Sequence, residues 1–192
     1  MSIMLLVVVA GLVVWAIGAY NGLIAAKNQT VNALKQIDVQ LKRRHDLIPN
    51  LVKSVQAAMD FEKDTLQAVI AARNTAVTAS ASLDTQHVAA TAKAEAALTA
   101  SLGKLFALAE AYPALTANSN MKQFQEELTS TENKVAFARQ LYNDTATSYN
   151  TKQQQFPTNM VAGMANAAPA ELWEIEEAAE RAVPNVDFRR GA

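Results

Sequence analysis

Cysteine is absent from this 192-residue chain. That excludes disulfides, thiolate metal ligands and cysteine nucleophiles, and it fits a reducing compartment. Glycine and proline are scarce, six and five residues respectively, and several of them sit between periodic segments, which favours long helices over turn-rich architectures. Histidine occurs only at His45 and His87 with no HExxH spacing, so no metal centre is expected, and the scattered glycines form no phosphate-binding loop. A net charge of −1 lacks the basic footprint of a nucleic-acid binder. No cofactor is implied.

A more local absence is the more informative one. Residues Ser2 to Ala26 contain no Asp, Glu, Lys or Arg, and Ile3 to Ile17 is apolar throughout. As a helix this stretch runs roughly 36 Å, enough to cross a bilayer core of about 30 Å. A cleaved signal peptide is the rival reading, since Ala16-Ile17-Gly18 weakly resembles a small-residue cleavage site. No basic residue precedes the apolar run, however, and the run exceeds a typical signal core, so a retained single-pass anchor is expected. Lys27, Lys35, Lys42, Arg43 and Arg44 all follow the run, which predicts an inner-membrane protein with its N-terminus outside and its C-terminal domain in the cytoplasm. Gly11, Gly18 and Gly22 share a face with Trp15, and Gly18 to Gly22 formally matches GxxxG, a pattern that lets membrane helices pack closely. Tyr20 and Asn21 place that match at the membrane interface, where chance is the plainer account.

Beyond the anchor, a stripe at Val31, Leu34, Asp38, Leu41, His45, Ile48, Val52, Val55 and Met59 alternates steps of three and four, the spacing of one helix face. Pro49 lies inside it and should kink the helix, because proline lacks the N–H that would bond to the His45 carbonyl. The pattern resumes through Leu66, Val69, Ile70 and Val77, either as the same helix or after a break near Met59-Asp60. Ser82-Leu83-Asp84 suits a turn into a second helix with Leu98, Leu102, Leu105 and Ala109 in the core. Pro113 and the polar run from Thr116 to Asn120 end that helix. A third follows with Phe124, Leu128, Val135, Ala138, Tyr142 and Tyr149 on one face, stopping at Phe156-Pro157. Gly163 to Pro169 is a linker, and Ala170 to Val183 has the pattern of a short amphipathic helix with Leu172, Ile175 and Ala179 on one side. Trp173 packs there. The fold class is therefore all-α: an anchor over residues 1–26, an elongated bundle of three to four long antiparallel helices over 27–157, and a linker, short helix and tail over 158–192.

Three strings carry a more specific signal: Gln36-Ile37-Asp38-Val39-Gln40-Leu41-Lys42-Arg43-Arg44-His45-Asp46-Leu47-Ile48-Pro49-Asn50-Leu51-Val52, then Ala109-Glu110-Ala111-Tyr112-Pro113, then Thr131 to Asn143. Together with the ending Val183-Pro184-Asn185-Val186-Asp187-Phe188, they resemble the LemA family of membrane-anchored bacterial proteins along the whole chain. The resemblance implies an N-terminal transmembrane helix, a bundle of long helices and no established enzymatic activity. The Ala/Thr/Ser-rich stretch 76–101 departs from the family pattern.

Two polar groups stand out. Asp38 and His45 interrupt an otherwise apolar stripe, and a buried carboxylate needs a partner; Lys42 is nearest on the helix and Arg139 across the bundle. Glu132, Asn133, Arg139, Tyr142 and Asn143 form the second group, with Glu132 able to pair with Arg43 or Arg44. Such groups more often fix helix register than bind a ligand, although a ligand or proton site beside Pro49 is the alternative. No carboxylate pair is recognisable as a general acid and base. Expected partners are the lipid bilayer and further copies of the chain, with other membrane proteins admissible. The leading functional expectation is a non-enzymatic scaffold forming a homo-oligomer at the membrane; the alternative is a membrane-bound sensor or binding module for a protein or small ligand.

Overall fold

The computed structural model describes residues 1–56, 62–112, 115 and 119–174. Among these the chain is all-α, with no strand, and the elements run α1 (Ser2–Gln56), α2 (Lys63–Ala81), α3 (Val88–Ala109), α4 (Ser119–Gln154) and the single turn α5 (Asn159–Ala162).

One uninterrupted helix of 55 residues, about 82 Å long, joins the apolar run to the bundle. Its two parts are distinguished by what they touch. No residue from Ser2 to Gly22 is buried, and this stretch is long and apolar enough to cross a membrane. From Leu23 the pattern changes: Leu23, Ala26, Thr30, Leu34, Ile37, Leu41, Arg44, Ile48, Leu51 and Val55 recur every three or four residues and are all buried. The expected stripe therefore holds at Leu34, Leu41, His45, Ile48, Val52 and Val55. It fails at Asp38, which is exposed. At that turn Ile37 takes the core position, because burying an aliphatic side chain stabilises by about 1.5–3 kcal/mol while burying an unpaired carboxylate costs several. Met59 and the residues Met59-Asp60 proposed for a break lie outside the described residues; Glu62 is non-helical and caps the start of α2 at Lys63.

The antiparallel pairing of α1 with α4 is the main contact of the bundle; α2 and α3 form a second antiparallel pair that packs on α1 mainly through α2, with α3 reaching it through Glu95 and Thr99. Contacts fix the register of the first pair. The Thr30 hydroxyl donates to the Thr145 carbonyl at 3.2 Å, and Lys152 Nζ donates to the Gly22 carbonyl at 3.2 Å. The turn expected at Ser82-Leu83-Asp84 joins α2 to α3 and is held by the Asp84 carboxylate, which accepts from the Gln86 N–H at 2.7 Å. Pro113 and Thr116 to Asn118, expected to end the next helix, lie outside the described residues; α3 ends at Ala109 and α4 starts at Ser119.

The amphipathic helix expected from Ala170 is not present over its described part. Residues 170–174 are non-helical and lie along α4 as an extended strap, with Ala170 and Trp173 buried. The rest of that expected helix, with Ile175, Ala179 and the tail from Pro184, lies outside the described residues.

Apolar side chains collect in two clusters along the bundle axis. The cluster nearer the apolar end contains Leu23, Leu34, Ile37, Leu41, Val88, Val135, Tyr142, Tyr149 and Trp173. The distal cluster contains Ile48, Leu51, Val55, Leu66, Val69, Leu98, Leu102, Leu105 and Leu128. Between Leu41 and Ile48 on α1, between Ala94 and Leu98 on α3, and between Leu128 and Val135 on α4, the buried side chains are polar.

Candidate functional site

That polar layer is the first candidate. Arg44 and His45 enter it from α1, Glu95 from α3 and Thr131 from α4, all of them buried. Glu95 is fully buried and uses both carboxylate oxygens: Oε2 accepts from Arg44 Nη1 at 3.2 Å, and Oε1 lies 2.6 Å from His45 Nε2. Arg44 Nη2 donates to the Thr99 hydroxyl at 2.8 Å, and the half-exposed Glu132 carboxylate approaches it at 4.0 Å from the rim. One guanidinium thus neutralises one buried carboxylate, which orients an imidazole. A His held by a carboxylate is how a general base is positioned, but among the described residues no hydroxyl hydrogen-bonds to this imidazole. Nor do three His, Asp or Glu side chains converge among the described residues as a metal site would require.

His45 also lines a cleft of about 600 Å³ between α1 and the α2–α3 turn, with Asp38, Lys42, Asp46, Arg73 and Asp84 at its walls. Pro49 acts here. It lies inside α1 and leaves the His45 carbonyl without its helical donor, and Arg73 Nε of α2 supplies the missing bond at 3.3 Å.

Arg139, Tyr142 and Asn143 of the second polar group expected on α4 serve a different purpose. Asn143 Oδ1 accepts from the Trp173 N–H at 2.8 Å while its Nδ2 donates to the Trp173 carbonyl at 3.0 Å, and Asn150 makes the same two-way pairing with Ala170 at 2.7 and 2.8 Å. Two helical turns between Asn143 and Asn150 cover about 10.5 Å, and three extended residues between Ala170 and Trp173 cover about 10 Å, so the helix face and the strap share one repeat. Tyr142 donates to the Glu171 carbonyl at 2.6 Å and Tyr149 to the Ala168 carbonyl at 3.0 Å. Arg139 stacks over Trp173, 5.0 Å from the ring centre. Glu171 turns the other way: its Oε2 accepts from the Val88 and Ala89 N–H groups at 2.6 and 3.2 Å, capping α3, and its own N–H donates to the Thr85 carbonyl at 2.7 Å. The strap therefore ties α4 to the α2–α3 pair. Burial, with the charges of Glu171 and Asp84 adding to it, pushes the Tyr142 phenol up to about 12, and burial raises that of Tyr149. Hydrogen bonds from the Gln86 N–H and then from His87 hold Asp84 below the usual carboxylate range.

The polar residues singled out in the sequence thus separate into two groups. Arg44, His45 and Glu132 meet in the layer; Arg139, Tyr142 and Asn143 hold the strap. Asp38 and Arg43 are exposed and join neither buried group, and Asn133 is exposed on the opposite flank. There an open groove of about 1110 Å³ runs between α1 and α4, lined by Lys35, Gln36, Val39, Lys122, Asn133 and Phe137 among others, with Val39 and Phe137 largely exposed. In the apolar part of α1, Gly11 and Gly18 have open space around them, whereas Gly22 is covered by Lys152 of the same chain.

Glu95, Thr99 and Arg73 escaped the sequence reading. Glu95 could have been found: it continues the Leu98, Leu102, Leu105 stripe one step upstream, making it a carboxylate on a core face.

Comparison with known families bears on the strings that form these sites. The LemA family profile matches residues 33–188, which include the polar layer, the α4 clamp and the strap. The chain belongs to the LemA family. It is also similar to Protein LemA of Metamycoplasma hominis, with 29% identity over 165 residues covering 83% of this chain and 72% of that protein. Membership fixes the helical family without adding a reaction, since neither description specifies one.

Proposed function

We propose that this LemA-family chain is a single-pass, membrane-anchored, non-enzymatic scaffold that self-assembles into a homo-oligomer, with its N-terminus outside the cell membrane and its bundle in the cytoplasm. The observation that carries this reading is the continuity of α1, in which an exposed, uncharged apolar stretch passes into the core of the bundle without a linker. A tether would need no such coupling. Self-assembly is supported by the exposed Val39 and Phe137 in the α1–α4 groove, a surface that a second copy would cover. Orientation rests on the basic residues that follow the apolar stretch. The mass of the detergent-solubilised full-length protein tests the assembly. A particle of several chains is expected, and a monomer at micromolar concentration would contradict it.

A second reading draws on the cleft beside His45. Its size and mixed charges suit a small polar ligand, which would make the protein a membrane-bound sensor. Under that reading, Asp38→Ala and Lys42→Ala change ligand recovery while leaving the particle mass unchanged.

A further inference from the structure

Three large apolar side chains are exposed at one end of the bundle: Phe156 (80% exposed), Met160 (69%) and Met164 (78%). Met160 and Met164 are four residues apart in the turns around α5, a spacing that places them on one side of that segment, and Phe156 lies in the turn that leads into it from α4. Their position along α1 is fixed by two contacts. Lys152 Nζ donates to the Gly22 carbonyl, and Lys27 Nζ approaches the Asn166 carbonyl at 3.5 Å. The segment between Lys152 and Asn166 is therefore held against α1 around residues 22–27, where the apolar stretch meets the bundle. The underside of this segment is occupied, since Val161, Ala162 and Ala165 are buried in the core.

Charge marks the same end. No Asp or Glu occurs from Ser2 to Ile37 of α1 or from Thr145 to Ala170, and the charged residues in these stretches are Lys27, Lys35 and Lys152. An apolar surface on a segment whose own charges, like those of the adjoining part of α1, are all cations matches the boundary of a bilayer, where acyl chains lie beneath phosphate-bearing headgroups; the exposed Asp84 of the α2–α3 turn is at the same end.

We infer that Phe156, Met160 and Met164 form a second membrane contact, which seats the base of the bundle in the headgroup region of the bilayer that α1 spans. This rests on the membrane-anchor reading above and adds to it. The helix alone leaves the rigid unit of apolar stretch and bundle free to tilt in the membrane and to turn about the α1 axis, and a second contact on one side of α1 fixes which flank faces the lipid. The three side chains would bury their apolar surface among acyl chains while Lys27 and Lys152 meet phosphates.

The absence of cysteine makes the test direct. An environment-sensitive fluorophore is placed on full-length protein carrying Phe156→Cys, Met160→Cys or Met164→Cys and reconstituted in phosphatidylcholine–phosphatidylglycerol vesicles. Labels at Leu12→Cys in the apolar stretch and Lys104→Cys, exposed on α3 beside the distal cluster, serve as references. Lipid-borne quenchers should quench the three base labels at least about threefold more than the Lys104→Cys label, with an accompanying blue shift. If the Leu12→Cys label is quenched and the base labels behave like Lys104→Cys, the second contact does not exist while the anchor stands. If the Leu12→Cys label is not quenched either, the anchor reading fails and the inference falls with it.

Discussion

Arg73 donates through Nε to the carbonyl of His45 at 3.3 Å, supplying from α2 the hydrogen bond that Pro49 removes from α1. A proline inside a long helix is thereby converted into a docking point for the neighbouring helix. The helix loses one internal bond, and the α1–α2 contact gains one.

This relationship predicts a specific coupling. Arg73→Met should destabilise the protein by about 1 kcal/mol, the usual net worth of a hydrogen bond to a partly buried carbonyl. In a Pro49→Ala background the restored N–H can serve the same carbonyl, so the same change should cost much less. A double-mutant cycle measured by urea unfolding checks it, and additive effects would show that the Arg73 bond does not depend on Pro49.

The polar layer makes a sharper prediction because it places an ion pair between two apolar clusters. Glu95→Gln leaves the buried Arg44 guanidinium with no countercharge but the rim carboxylate of Glu132, and should cost about 3–5 kcal/mol. Replacing Arg44 and Glu95 together by Met and Leu should recover most of that loss, since apolar residues of similar volume pack without a desolvation cost. Thermal unfolding of the two variants gives the comparison.

The strap should be released by alkali. Its Tyr142 phenol holds its proton up to about 12 in the folded protein, against an ordinary value of 10.0. The folded state thus binds more protons than the unfolded state in that interval. Stability from this group is fully present below pH 10 and is lost as pH rises towards about 12. Phenolate absorbance with Trp173 fluorescence should show strap release in this window, and Tyr142→Phe should remove this component of it.

Asn143→Leu should open the strap at neutral pH. Both bonds to Trp173 go, and the Trp173 amide should exchange with solvent at least about tenfold faster, with the loss of roughly 1–3 kcal/mol of local protection. The Ala170 amide, held by Asn150, should be affected less.

Long helices, their order and most of the core were legible in the sequence because 3.6-residue periodicity directly records which face is buried. The stripe identified Leu34, Leu41, His45 and Ile48 correctly and misplaced Asp38, where two adjacent residues compete for one core position and only packing decides. Of the α4 polar group, Glu132 meets Arg44 of α1 as its spacing allowed, whereas Arg139, Tyr142 and Asn143 turn to the strap instead. Periodicity reports that Asn143 and Asn150 share a face, but it does not report that the chain returns thirty residues later as an extended strap with a matching repeat. Glu171 illustrates the same limit, since its role as a cap for α3 depends on a contact 83 positions away.

Through the unbroken α1, the apolar stretch and the bundle form one rigid body. Limited proteolysis of the vesicle-reconstituted protein, with a protease of broad specificity, probes the segment from Tyr20 to Thr30 most directly. A continuous helix packed against Lys152 and α5 should resist cleavage there for as long as the bundle core does. Rapid cutting in that segment, with the bundle released intact, would contradict the account.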